Sequence, residues 1–151
     1  MRLLGLFLQQ VGSSLELKEE KFMRMNNQYF LLNDEMRGSI LDKNLLIYAG
    51  KYLGKDQRYF VPSSILLEKL GKESSTKKVK VGQDAGWLFI CGKDIFEENI
   101  IDVTGKLTLG QYYLVMMKDT CLGYGRYETS DDRRVIHNLF DIGDFLRREA
   151  S

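Results

Sequence analysis

"CLGYGRYETSDDRRVIHNLF", residues 121–140, is the stretch on which the fold turns. "CLGYGRYE" is strand-like, and "TSDDRR" reads as a turn leading into a terminal strand. Gly123 and Gly125 lack the third glycine and the following helix that a dinucleotide-binding loop needs. Inside a strand they mark a place where backbones approach closely or bulge. Asp131 and Asp132 are adjacent, so on a strand they would face opposite ways. A shared metal or a shared proton needs carboxylates that converge, so the pair reads as a solvated turn. Arg126, Arg133, Arg134 and His137 fall within twelve residues, beside Tyr124 and Tyr127. Guanidinium forks pair phosphates, and aromatic faces stack on unpaired bases. Local chemistry therefore points to a polyanion.

Working upstream, "NIIDV" (99–103) and "QYYLVMM" (111–117) are two more strand-like runs between turn residues. "KKVKVG" (77–82) alternates lysine with valine, which is strand periodicity. Asp84 is placed to cap a short helix through "AGWLFI" (85–90), closed by Gly92, with Trp87 expected in the core. Several short strands with turns between them predict a small barrel or sandwich. Downstream, "DIGDFLRRE" (141–149) predicts a helix capped by Asp141, with Asp144 three residues on. Its expected apolar face is Ile142, Phe145 and Leu146, and Arg147 and Arg148 suit its C-terminal end.

The first half mixes elements. Leu3, Leu4, Phe7, Leu8 and Val11 recur at helical spacing, and Gly12 with Ser13 and Ser14 ends that helix. "LELK" (15–18) and "QYFLLND" (28–34) read as strands, and "LLIYAGKYLG" (45–54) as a buried strand followed by a turn. "RYFVPSS" (58–64) runs from a strand into a helix start. There Ser63 or Ser64 can cap "ILLEKL", with Gly71 just past its end. The polar "GKESSTKK" (71–78) is the best linker. The expected organisation is α+β: an N-terminal α/β domain over 1–75, then a small β pseudo-barrel over 76–151.

Composition removes several function classes. The 151 residues carry 22 Lys and Arg against 21 Asp and Glu, a formal net charge of +1. Any polyanion site must therefore be a local patch. Cys91 and Cys121 form no Cys-x-x-Cys pair and His137 is the one histidine, so zinc sites of the usual spacing are excluded. Both cysteines are expected to be small buried hydrophobes in a reducing compartment. No nucleophile–base constellation and no nucleotide-binding loop is present, so neither catalysis nor a cofactor is expected. Gln9 and Gln10 interrupt the apolar N-terminus, and no stretch reaches membrane-spanning length. A cytoplasmic location with no membrane partner is the expectation.

The run "KVKVGQDAGWLFICGKDIF", followed by strands and "CLGYGR", resembles a PUA domain, a small RNA-binding pseudo-barrel. "SDDRRVIHNLFDIGDFLRRE" (130–149) closely resembles the C-terminus of the NIP-seven proteins, large-ribosomal-subunit biogenesis factors of archaea and eukaryotes. "QYFLLNDEMRGSI" and "LLIYAGKYLGKDQRYFVPSSILLEKL" follow in the order that family shows, so the likeness covers nearly the whole chain and is most like archaeal members. The N-terminus is shorter than is usual there. The resemblance implies a non-catalytic factor that binds U-rich single-stranded RNA in pre-rRNA processing and large-subunit assembly. It implies contact with rRNA precursor and with other assembly or RNA-processing proteins, and a monomer is expected. The family's basic RNA-contacting stretch falls on Arg133 and Arg134. His137 stands where archaeal relatives carry lysine, and Phe140 stands at another often basic position. Arg126, Lys78, Lys80 and Lys93 are weaker candidates. Two rival readings are a protein-binding adaptor in ribosome assembly and a PUA-containing RNA-modifying enzyme.

Overall fold

The computed structural model describes residues 2–15, 22–32, 51–144 and 147. Helix α1 (Arg2–Gln10) carries Leu4, Phe7 and Leu8 on its buried stripe, which Val11 continues. A helix of nine residues is marginal alone in water. Burial of these side chains, at about 1.5–3 kcal/mol each, holds it in place. Gly12 ends it with φ +79°. Strands β1 (Phe22–Met25), β2 (Gln28–Leu31), β3 (Lys51–Asp56) and β4 (Phe60–Pro62) form an antiparallel sheet in that order. Residues 51–54, expected as a turn, are strand. The expected strand at 16–18, its counterpart at 45–50, and Phe145, Leu146, Arg148 and Glu149 lie outside the described residues.

Helix α2 (Ser64–Lys72) starts at Ser63, whose hydroxyl accepts from the Leu66 N–H at 3.1 Å. Gly71 lies inside its last turn, not past it. The reason is packing, because a Cβ there would stand 3.2 Å from Met116 and 3.3 Å from Cys121. The helix is closed at Glu73, whose N–H donates to the Leu70 carbonyl at 3.2 Å, and the hydroxyl of the fully buried Thr76 donates to the same carbonyl at 2.8 Å. The polar stretch expected as a linker is thus bound into the structure. Its Glu73 carboxylate accepts from Ser13 at 2.8 Å, from Ser75 at 2.9 Å, and from both the amide and the hydroxyl of Ser14.

The second half comprises β5 (Lys78–Val81), α3 (Gln83–Ile90), β6 (Ile95–Phe96), a 3-10 turn (Glu97–Asn99), β7 (Ile100–Val103), β8 (Tyr112–Met117), β9 (Thr120–Ser130) and β10 (Arg133–Asp141). They curl into a half-barrel in the order β6-β10-β9-β8-β5-β7, antiparallel except for β5 with β8. The α+β class read from the sequence is the observed one. β9 separates two cores. Cys121 and Tyr124 pack with α1, α2, Leu53 and Phe60. Leu122 and Tyr127 face the interior of the half-barrel with Val79, Phe89, Val115 and Ile136.

Four expectations are corrected. Trp87 is 63% exposed, not core. The buried residues of α3 are Gly86 and Phe89, three apart on one face, and Trp87 is turned away from that face. Cys91 is exposed at the C-cap of α3, whereas Cys121 is buried as expected. Asp84 sits in the first turn of α3, and Gly82 holds the cap position. Ile142 is 39% exposed instead of lying on an apolar face. Gly92, at φ +93°, does close α3.

The glycines of β9 behave as the sequence predicts. A Cβ on Gly123, at φ +150°, would lie 2.0 Å from the Phe140 carbonyl oxygen, and one on Gly125 2.4 Å from that of His137. Gly123→Ala is therefore expected to cost at least about 2 kcal/mol, read from the urea midpoint. Gly105→Ala is the control, since its Cβ would meet nothing within 4 Å and only its φ of +72° opposes it. Equal losses in the two variants would refute the close-approach account.

Glu73 supplies a pH test. Burial tends to raise its carboxyl, but the hydrogen bonds from Ser14, Ser13 and Ser75 prevail and hold it down to about 2. A depressed carboxyl contributes stability above its unfolded value and loses it as pH falls through the folded value. Glu73→Gln is thus expected to flatten the decline in stability between about pH 4.5 and pH 2.

Candidate nucleic-acid interface

The β9–β10 hairpin reverses at Asp131 and Asp132, at φ +49° and +64°. Two left-handed residues are what a two-residue turn needs to match the twist of its strands. This sets Arg133 opposite Ser130, Val135 opposite Glu128 and His137 opposite Arg126. Strand alternation sends successive side chains to opposite faces. Tyr112, Arg126, Glu128, Arg133 and His137 therefore share the face on which Tyr124 meets the N-terminal elements. Arg134 goes to the other face, where it hydrogen-bonds Tyr127. The adjacent arginines are thus split, and one phosphate cannot be clamped by both from the same side.

Each basic group on the shared face has a partner. Arg133 donates to Glu98, and its guanidinium carbon lies 3.8 Å from the centroid of the Phe96 ring. Arg126 donates from Nε to Glu128 at 2.8 Å, and Tyr112 is a second hydrogen-bond partner. The Glu128 bond outweighs burial and pushes the Arg126 guanidinium further above its ordinary range. His137 Nδ1 is 3.2 Å from Asp94 and 3.9 Å from Glu128. Exposed pairs of this kind hold by about 0–1 kcal/mol each, so a phosphate can exchange with the carboxylate at little cost.

The lysines divide. Lys93 is exposed beside Asp94 and borders the cluster. Lys78 and Lys80 do not join it. Their strand, β5, is separated from β9 by β8. Lys80 pairs with Met116 on β8, whereas Arg126 pairs with Tyr112, an offset of about 13 Å along the strand. Lys78 donates to the Glu73 carbonyl, and burial lowers its pKa. Phe140 is half-buried against the first core, so it carries packing. Sequence reasoning missed Phe96, Glu98 and Tyr112, which cross-strand pairing brings to the cluster. Register alone would have found Tyr112.

The far end of β10 is pinned by Asp141, which is fully buried. Its carboxylate accepts from Arg147 at 2.9 and 2.8 Å, from Asn138 at 2.9 Å and from the Gly143 amide at 2.9 Å. Among the described residues no group of His, Cys, Asp and Glu is arranged to hold a metal. No helix among them is long and apolar enough to cross a membrane.

Residues 77–150 match the family model of the UPF0113 PUA domain. The chain is similar to a hypothetical protein from the hyperthermophilic archaeon Pyrococcus horikoshii, with TM-score 0.54 and 16% identity over 95% of this chain and 92% of that one. It is also similar to a PUA domain structure from Aeropyrum pernix, solved as a tartrate complex, with TM-score 0.53 and 13% identity over 97% and 85%. At such identities the likeness shows the fold. No curated protein matches the sequence. The second half of the chain is a PUA domain, a known RNA-binding fold.

Arg147→Met leaves the buried Asp141 charge without its ion-pair partner. Breaking a fully buried pair costs about 3–5 kcal/mol; with Arg147 41% exposed and two hydrogen bonds to Asp141 retained, the loss is expected to fall below that range. The double variant Arg147→Met, Asp141→Asn is expected to lose less than the single. Denaturant titration of the four proteins of this cycle measures the coupling, and strict additivity would show that the pair does not pin β10.

Proposed function

We propose that this chain is a non-catalytic, monomeric RNA-binding factor of the cytoplasm, acting in pre-rRNA processing and assembly of the large ribosomal subunit. In this reading U-rich single-stranded RNA lies on the face of the PUA sheet that carries Arg126, Arg133 and His137. One observation carries it: the β9–β10 hairpin gathers these groups on one exposed face, with Phe96 stacked on Arg133. The PUA domain and the NIP-seven likeness of residues 130–149 support it. Arginine recognises phosphate through paired N–H donors. Each guanidinium here already holds a weak carboxylate partner that a phosphate oxygen replaces. Arg134, on the opposite face, suits a strand that wraps the hairpin end.

Trp87 and Leu88 favour a second reading, a protein-binding adaptor. Both are exposed on α3, over an apolar groove of about 440 Å³ shared with Met117. A pull-down that recovers assembly proteins, together with no detectable RNA binding, would favour the adaptor. Methyl transfer from S-adenosylmethionine to an rRNA transcript would overturn the non-catalytic assignment.

Anisotropy of a labelled U-rich RNA, titrated across a salt series, tests the primary reading. Each phosphate neutralised on a single strand contributes about 0.7 to the slope of log K against log salt. Arg133→Ala with Arg134→Ala is expected to weaken binding and to flatten the slope by roughly 1–1.5. Glu98→Gln, which releases Arg133, is expected to tighten binding. An unchanged affinity and slope in the double variant would remove these residues from the site.

A further inference from the structure

The β3–β4 hairpin ends in Gln57, Arg58 and Tyr59. Tyr59 is 49% exposed, and the Arg58 guanidinium carbon lies 5.7 Å from its ring centroid. This tip leans over the PUA sheet. Tyr59, Tyr112, Leu139, Phe7 and Gln10 line a groove of about 230 Å³ between them. Tyr112 is also the hydrogen-bond partner of Arg126, so the groove continues the interface described above.

The chemistry of the groove selects its occupant. Its walls are aromatic and aliphatic, and none of the residues that line it carries a carboxylate. Along β10, by contrast, Asp94, Glu98 and Glu128 interleave with the basic groups. Arg58 is part of the lining, and Tyr112, also in the lining, hydrogen-bonds Arg126 outside it. Gln10, half-buried in the wall, offers an amide that both donates and accepts. A flat ring with apolar faces, a hydrogen-bonding edge and a phosphate on either side meets each of these features. Resting on the RNA-binding reading, we propose that this groove takes one unpaired base of a single-stranded RNA against Tyr59, so that the N-terminal sheet forms half of the RNA site.

The test uses the full chain and a fluorescein-labelled oligouridine. Tyr59→Ala is expected to weaken binding about tenfold, the loss of one base stack, with the salt slope unchanged because no phosphate contact is removed. Tyr59→Phe is expected to retain affinity. Arg58→Ala is expected to lower the slope by about 0.7. An oligouridine carrying 4-thiouridine is expected to crosslink to the peptide that contains Tyr59, a readout that does not depend on any variant folding. If the wild type binds while Tyr59→Ala binds equally and crosslinks map only to β10, the groove proposal is overturned and the RNA reading stands. If the wild type binds no oligouridine, both are overturned.

Discussion

The hydroxyl of Tyr124 donates to the Phe60 carbonyl at 2.7 Å, from a fully packed position in the middle of β9. That bond joins the two sheets. The Tyr124 ring also lies 4.6 Å from the ring of Phe7 on α1, and Phe7 lies 5.2 Å from Phe60. Burial pushes the Tyr124 hydroxyl far above its ordinary pKa, so it stays a neutral donor throughout the physiological range. Tyr124 and Tyr127 face opposite cores by strand alternation, and the register shift between Val115 and Met116, which leaves Leu122 as the extra residue of β9, turns Leu122 to the side of Tyr127. The cost is a strand buried on both faces, and the flanking glycines let β10 close against it.

The electrostatics of the interface follow from the same geometry. A chain with almost equal numbers of acids and bases cannot present a broad basic field. It can place a few guanidinium groups at defined positions and keep them neutralised until a competing anion arrives. Arg133 stacked on Phe96 and Arg126 held between Glu128 and Tyr112 are ordered before any ligand approaches. Specific geometry here takes the place of bulk attraction.

Much of this was legible in the sequence. The strand character of "CLGYGRYE", the Asp131–Asp132 turn and the glycines as close-approach points all follow from short-range rules, and the structure contains each of them. Other features depend on pairs far apart in the chain. The parting of Arg133 from Arg134 follows from alternation once the strand is known to begin at Arg133. The exposure of Trp87 depends on which face of α3 meets β8 and β9, and its neighbours in the sequence do not specify this. Lys78 resembles an exposed strand lysine until Glu73 folds beneath it. Arg58 and Tyr59 gain meaning only when the hairpin tip comes to rest over Tyr112 and Leu139.

The two left-handed aspartates at the hairpin tip also bear on the order of assembly. A turn that closes on adjacent residues asks little loop entropy, and hairpins form in microseconds. β9 and β10 can therefore pair while the remainder of the chain is still searching. The Ser13–Glu73 bond spans 60 residues and the Tyr124–Phe60 bond 64, so the N-terminal elements close much longer loops. Contacts of that span are the slow ones. Pairing of the hairpin that presents the arginines therefore closes far less chain than docking of the N-terminal sheet does.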